Sequence, residues 1–204
     1  MGRTRDTLRS GTWLTRERIR PAAAALLVAS VAGLLYLAVT ANGLIDRQGR
    51  PLGTDSSSVY AAGTYVLDGD PKAVFDPVRQ YAREQRIFGD ATPFYGWHYP
   101  PFFLFVAVAL ALMPYGVALA VWQAVTLGLY VLAIHEIIRS SFRGAPATSG
   151  MTSLWLLLAL AFPAVLINIG HGQNGFLTAA LLGAALVQLD RHQLNPPDRA
   201  RTGR

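Results

Sequence analysis

Apolar residues in this chain fall in blocks, without the regular spacing that marks a half-buried helix or strand. A polar, Arg-rich stretch, 1–21, precedes the first block, Ala22–Ala41. Its 20 residues suffice for one crossing of a bilayer core roughly 30 Å thick. Residues 42–100 are mostly polar. Within them the pattern predicts a short helix over Ser56–Leu67, with Asp55 as its N-cap, and a turn at Asp68-Gly69-Asp70-Pro71. A second helix is predicted over Pro77–Phe88, with Asp76 as N-cap and Pro77 at its first position. The apolar character returns over 101–189 with two interruptions, Pro114-Tyr115-Gly116 and Gly170-His171-Gly172-Gln173-Asn174-Gly175. Val117–Ile138 is long enough to cross a bilayer, whereas Phe102–Met113 is of a length more typical of re-entrant or interfacial segments. Met151–Ile169 and Phe176–Leu189 follow, and 190–204 is a polar tail.

Composition turns this pattern into a class. Hydrophobic residues make up 52% of the chain and charged ones 15%, with a mean hydropathy of +0.31. A soluble domain carries a charged share nearer a quarter, so the reading is an all-α integral membrane protein with several spans. The 42–100 segment carries Tyr60, Tyr65, Phe75, Tyr81, Phe88, Phe94 and Trp97. That is too aromatic for a disordered linker, and it predicts a small helical cap on the membrane. With no cysteine there is neither a disulfide framework nor a thiolate metal site.

The net charge of +6 is gathered largely in the flanks of apolar blocks, so it marks the cytoplasmic side and not a nucleic-acid partner. An uncleaved first helix with its N-terminus inside places 42–100 outside; a cleaved signal peptide is the alternative. If 101–138 makes one net crossing, Arg139, Arg143 and Arg191 fall inside with the basic N-terminus, as the positive-inside rule asks. Two crossings would put them outside. One crossing is adopted, with 102–113 dipping in without passing through.

Three places bear candidate chemistry. Asp55 follows Gly53-Thr54 and precedes three serines; it is either a helix N-cap or a general base for a hydroxyl at the membrane surface. Asp46 is a weaker candidate in an ordinary turn sequence, Asp46-Arg47-Gln48-Gly49. His98 and Tyr99 precede Pro100-Pro101, and are either part of an interfacial aromatic belt or presented to substrate. In the 170–175 break, His171, Gln173 and Asn174 are either a polar turn or donors to a phosphate. The helix that follows would favour the same anion. No metal-ligand spacing, nucleotide phosphate loop or nucleophile motif occurs.

The order of these motifs is familiar. Gly53-Thr54-Asp55 follows one apolar helix, with Val59-Tyr60-Ala61-Ala62-Gly63 beyond it. Leu67-Asp68-Gly69-Asp70-Pro71 and Phe75-Asp76 come next, then Tyr99-Pro100-Pro101-Phe102, Met113-Pro114-Tyr115 with Trp122, and Gly172-Gln173-Asn174. Over roughly residues 20–190 this resembles the N-terminal half of glycosyltransferase family 87.

The resemblance implies part of a GT-C-type helical bundle in the bacterial plasma membrane. It also implies a multi-pass hexosyltransferase, usually a mannosyltransferase, acting on the outer face. The donor would be a polyprenyl-phosphate sugar, used as a substrate with no separate cofactor, and the acceptor a glycan or glycolipid. Asp55 matches the aspartate that acts as general base; Asp46, His98, Tyr99, His171, Gln173 and Asn174 are expected to bind substrate. The chain departs from the family pattern at Ser56, where an aromatic is expected. Its helical pattern stops at Leu189, so the tail reads as truncated or frame-shifted, with a missing C-terminal half as an expected partner. The competing class is a non-enzymatic membrane protein, a transporter subunit or assembly partner. A transporter needs an ionisable group within a span, and His135-Glu136 near a helix end is what the chain offers.

Overall fold

The computed structural model describes Gly11, residues 14–141 and residues 149–194. Most of the N-terminal stretch before Arg16, the loop with Arg143, and the tail beyond Leu194 lie outside the described residues. Among the described residues the protein is all-helical, with two isolated β-bridges around Ile45 in place of any strand. The membrane class expected from the blocks is met: two helices are long and apolar enough to cross a bilayer, and a bent pair adds a third span if it is counted as one.

Helix α1, Arg16–Thr40, starts ahead of the apolar run and contains Pro21. The helix and the apolar block differ in extent because hydrogen bonding sets the first and membrane thickness the second. Helix α2, Thr54–Leu67, is the most enclosed element. Thr54, Ser56, Ser57, Ser58, Val59, Ala61, Ala62, Gly63 and Tyr65 are all buried. Burial of its hydroxyls is met locally: Ser57, Ser58 and Thr64 donate to the carbonyls of Thr54, Asp55 and Ala61. Helix α3, Pro77–Phe88, begins as its sequence predicts, with the Asp76 side chain accepting from the backbone N–H of Val78 and Arg79.

The short apolar segment after Pro101 is one 3₁₀ turn, Pro101–Phe103, followed by α4, Leu104–Ala111. At about 1.5 Å per residue, α4 is only some 12 Å long. It packs on α2, and a Cβ on Gly63 would stand 2.1 Å from the Ala107 carbonyl oxygen. The outward side of this segment is greasy, with Phe102, Phe105 and Leu112 exposed.

Helix α5, Tyr115–Ser141, is the second long span. The chain returns through α6, Ser149–Ala161, and α7, Pro163–His171, which meet at 51°. The apolar run Met151–Ile169, expected as one segment, is broken in two. Pro163 supplies the break, because proline lacks an N–H for the ladder and forces Phe162 into an extended conformation (ψ 127°). Helix α8, Gly175–Leu194, passes the expected stop at Leu189 and carries Asp190 and Arg191 within it.

Side-chain contacts fix the directions of these helices. Gln123 and Tyr130 of α5 donate to the carbonyls of Ile169 and Ala159, so α6–α7 runs antiparallel to α5. Gly183 lies against Ala133 and Ile137, and Arg191 pairs with Glu136 at 2.9 Å, so α8 runs with α5. Leu119, at the start of α5, packs against Gly53 and Gly172. The N-terminus of α2, the C-terminus of α7 and the N-termini of α5 and α8 therefore gather at one end. Arg139 and Arg191 lie toward the other.

Candidate functional site

The gathered end is built around the first turn of α2. Gly53 enters the helix in the left-handed region (φ 71°), so no side chain caps it. This corrects the expectation that Asp55 is an N-cap: Asp55 sits inside the first turn. There its carboxylate, half-buried, has no hydrogen-bond partner among the described residues. The unpaired N–H groups and dipole of the helix start favour a negative charge at this position.

The residues on either side of Asp55 hold the turn in place. Thr54 Oγ1 lies 2.7 Å from His171 Nδ1, and Ser56 Oγ donates to the Gly172 carbonyl at 2.7 Å. These bonds join positions more than a hundred residues apart in sequence. Gly172 is required twice over: its φ is +66°, and a Cβ there would stand 2.3 Å from Ser56 Oγ. The same approach explains Ser56. Its side chain is buried against the α7 terminus, where an aromatic ring has no room.

The 170–175 break is narrower than its sequence suggests, because α7 continues through His171 and α8 begins at Gly175. Buried Asn168 spans the gap, donating to the Gln173 carbonyl and accepting from the Gly175 N–H. Gln123 supports it from α5 through the Ile169 carbonyl. The side chains of Gln173 and Asn174 make no hydrogen bond of their own among the described residues and are half-exposed at the start of α8. They are left free to meet a ligand.

An aromatic wall closes another side. Tyr99 stacks on Phe103 with ring centres 4.5 Å apart, Trp97 meets Tyr99 edge-on, and Phe103 meets Trp122 edge-on. Burial, and after it the Asp55 charge, push the Tyr99 phenol above its ordinary value. Tyr99 and Asp55 thus share one electrostatic neighbourhood. His98 is exposed and lies within electrostatic reach of Glu84.

Asp46 is a different kind of carboxylate. It accepts from the backbone N–H groups of Gln48 and Arg50 and from the Arg50 guanidinium. Burial would raise its pKa, but these bonds outweigh burial and hold it below the ordinary value. Its lone pairs are committed to a turn. Among the candidate residues, then, Asp55 acts on Tyr99 through its charge and His171 braces the turn that carries Asp55. Gln173 and Asn174 flank the adjoining helix start, and Asp46 is occupied.

Two residues that the motif reading did not single out, Gln80 and Glu84, prove to be fully buried beside this region. Their four-residue spacing on a polar helix was the signal, but charged residues on such a helix read as solvent-facing. At the far end Glu136 pairs with Arg191 and lies near Arg139, so it is a neutralised charge at a helix end.

Residues 97–199, just over half of the chain, match Glycosyltransferase family 87. That stretch contains His98, Tyr99, His171, Gln173 and Asn174, and Asp55 precedes it. The chain is also 30% identical over 131 residues to a polyprenol-phosphate-mannose-dependent alpha-(1-2)-phosphatidylinositol pentamannoside mannosyltransferase of Mycolicibacterium smegmatis (strain ATCC 700084 / mc(2)155). The similarity covers 62% of this chain and 28% of that protein's length. No solved structure is significantly similar. By its sequence and its all-helical membrane architecture, the chain belongs to glycosyltransferase family 87.

Proposed function

We propose that this chain carries the acceptor-activating part of a membrane hexosyltransferase. It would move a sugar, mannose by analogy with its relative, from a polyprenyl phosphate to an acceptor hydroxyl of a glycan or glycolipid. The observation that carries the reading is the Asp55 carboxylate, unpartnered in the first turn of a helix whose position is braced by Thr54–His171 and Ser56–Gly172. In this mechanism Asp55 takes the proton of the acceptor hydroxyl as its oxygen bonds to the anomeric carbon. The bond from that carbon to the phosphate oxygen breaks, and the electron pair leaves with the polyprenyl phosphate. The amides of Gln173 and Asn174 and the start of α8 would receive the phosphate charge.

The basic residues of α1, Arg139 and Arg191 support an outer location for this end, with the protein in the bacterial plasma membrane. The chain lacks cysteine, so single cysteines report sidedness cleanly. Cysteine at Asn174 is expected to react with an impermeant thiol reagent from outside, and cysteine at Ser141 only after permeabilisation. The reverse pattern would refute the outer assignment.

The donor class is tested in membranes by supplying polyprenyl-phosphate [14C]mannose or a nucleotide mannose. Label is expected in the acceptor fraction with the lipid-linked donor alone. Equal labelling from the nucleotide donor, with lipid-linked donor synthesis blocked, would refute it.

A further inference from the structure

We propose that Glu84 is a positioning residue for the acceptor side of this site, anchoring the Tyr95–Tyr99 segment against Asp55. The proposal rests on Asp55 being the base, and it begins from an inversion. In α3, Gln80 and Glu84 are 0% exposed while Val78 is 78% exposed, the opposite of what transfer free energies favour. A carboxylate is retained in such a place when its partners need it.

The partners are specific. Glu84 Oε2 accepts from the Tyr95 N–H at 3.0 Å and Oε1 from the Gly96 N–H at 3.1 Å. Gln80 Nε2 donates to the same Oε1 at 3.4 Å and to the Ser58 carbonyl of α2 at 2.9 Å. A continuous polar link therefore runs from the backbone at 95–96, through α3, to Ser58 of α2, three residues on from Asp55. Nothing else in the backbone replaces it. Among the described residues, no backbone–backbone hydrogen bond involves Pro93 to Tyr99. Beyond the anchored amides the segment delivers Trp97 and Tyr99 to the aromatic wall.

Tyr99 feels the Asp55 charge after burial, whereas at Tyr95 burial, Arg50, Asp46 and Glu84 all weigh more than Asp55; on the geometric side, Trp97 and Tyr99 pack on the cluster that includes Val59 of α2. The phosphate-receiving groups at 173–175 belong to other elements, so this segment serves the acceptor and not the donor. An amide cannot do the work of the carboxylate. Two N–H groups and the Gln80 amide call for acceptors on both oxygens, and glutamine supplies only one. Burial lifts the Glu84 carboxyl above its ordinary value, and the hydrogen bonds from Tyr95, Gly96 and Gln80 oppose that rise without cancelling it.

The test uses Glu84→Gln in the full chain in membranes, with two readouts. Amide hydrogen exchange of the 93–99 peptide is expected to quicken by about 10-fold for the lost hydrogen bond, with peptides of α1 and α5 unchanged. Steady-state transfer should show acceptor KM raised roughly 10-fold with donor KM within about 2-fold. Simple loss of folded protein lowers apparent kcat and leaves both KM values alone.

Unchanged exchange, or an unchanged acceptor KM, would overturn the proposal. Should Glu84→Gln fail to accumulate, Gln80→Leu removes the bonds to the Ser58 carbonyl and to Glu84 Oε1 while leaving the carboxylate on the 95–96 amides, and is expected to shift both readouts in the same direction; no shift overturns the proposal equally. Asp55→Asn separates the two readings, because it should leave the exchange of 93–99 untouched. If the parent transfers no sugar, the reading of Asp55 fails and the proposed positioning role fails with it. The exchange data then decide only whether Glu84 anchors the segment.

Discussion

Asp46 and Asp55 lie in the same polar segment, nine positions apart, and the backbone gives them opposite fates. Asp46 stands in a turn whose amides and arginine converge on it, so its charge is spent on holding residues 46–50 together. Asp55 stands in the first turn of a helix that a left-handed glycine has already opened, so no capping duty falls to it. The lesson is that a carboxylate becomes available for chemistry when another residue does its structural work. Gly53 does this for Asp55, and Thr54 and Ser56 secure the turn on either side.

The contrast can be broken from its foundations. The largest structural effect is expected from Gly63→Ala, because the new methyl meets the Ala107 carbonyl oxygen, a backbone atom that cannot swing away. A loss of roughly 1–3 kcal/mol, read as a lower midpoint in thermal unfolding, should come with weaker packing of α4 on α2. Gly172→Ala should come next. It combines a left-handed backbone unsuited to alanine with loss of the Ser56 hydrogen bond, about 1–2 kcal/mol together. Unlike Gly63→Ala it should act on the site directly, quickening hydrogen exchange in the 54–58 amides more than in α4.

Asp46→Asn should cost about 1 kcal/mol at neutral pH and change the acid response. Because the native pKa of Asp46 lies below its unfolded value, its stabilising contribution is complete above the unfolded value, roughly pH 4. It is lost as the pH falls through the native one. The asparagine variant should therefore unfold with a shallower dependence on pH below about 4. A parallel acid limb in both proteins would mean that Asp46 is not held as its hydrogen bonds imply.

The smallest effect belongs to Thr54→Val. It removes the contact to His171 while leaving Ser56–Gly172 in place, for about 0.5–1 kcal/mol.

How much of this was legible in the sequence depends on the range of the cause. The Asp76 cap and the break at Pro114 follow from neighbours within a few residues, and both were readable. Pro163 is an equally local signal, masked by the apolar residues on both sides of it. The serines after Asp55 favour reading it as a cap, whereas Gly53, two positions earlier, takes the left-handed entrance to the helix. The bracing of Ser56 by Gly172 joins residues 116 positions apart, and no local pattern encodes it. Burial of Gln80 and Glu84 likewise depends on the 95–96 amides arriving from elsewhere.

The central claim is that availability, and not proximity to the membrane, separates the two aspartates. It is tested most directly by measuring sugar transfer from a polyprenyl-phosphate donor with Asp55→Asn and Asp46→Asn side by side, each normalised to folded protein in the membrane. Asparagine keeps the shape of aspartate and removes its basicity. Asp55→Asn is expected to lower turnover by about 10²–10⁴-fold, the usual worth of a general base, with Asp46→Asn within about 3-fold of the parent. Turnover retained by Asp55→Asn and lost by Asp46→Asn would contradict the account.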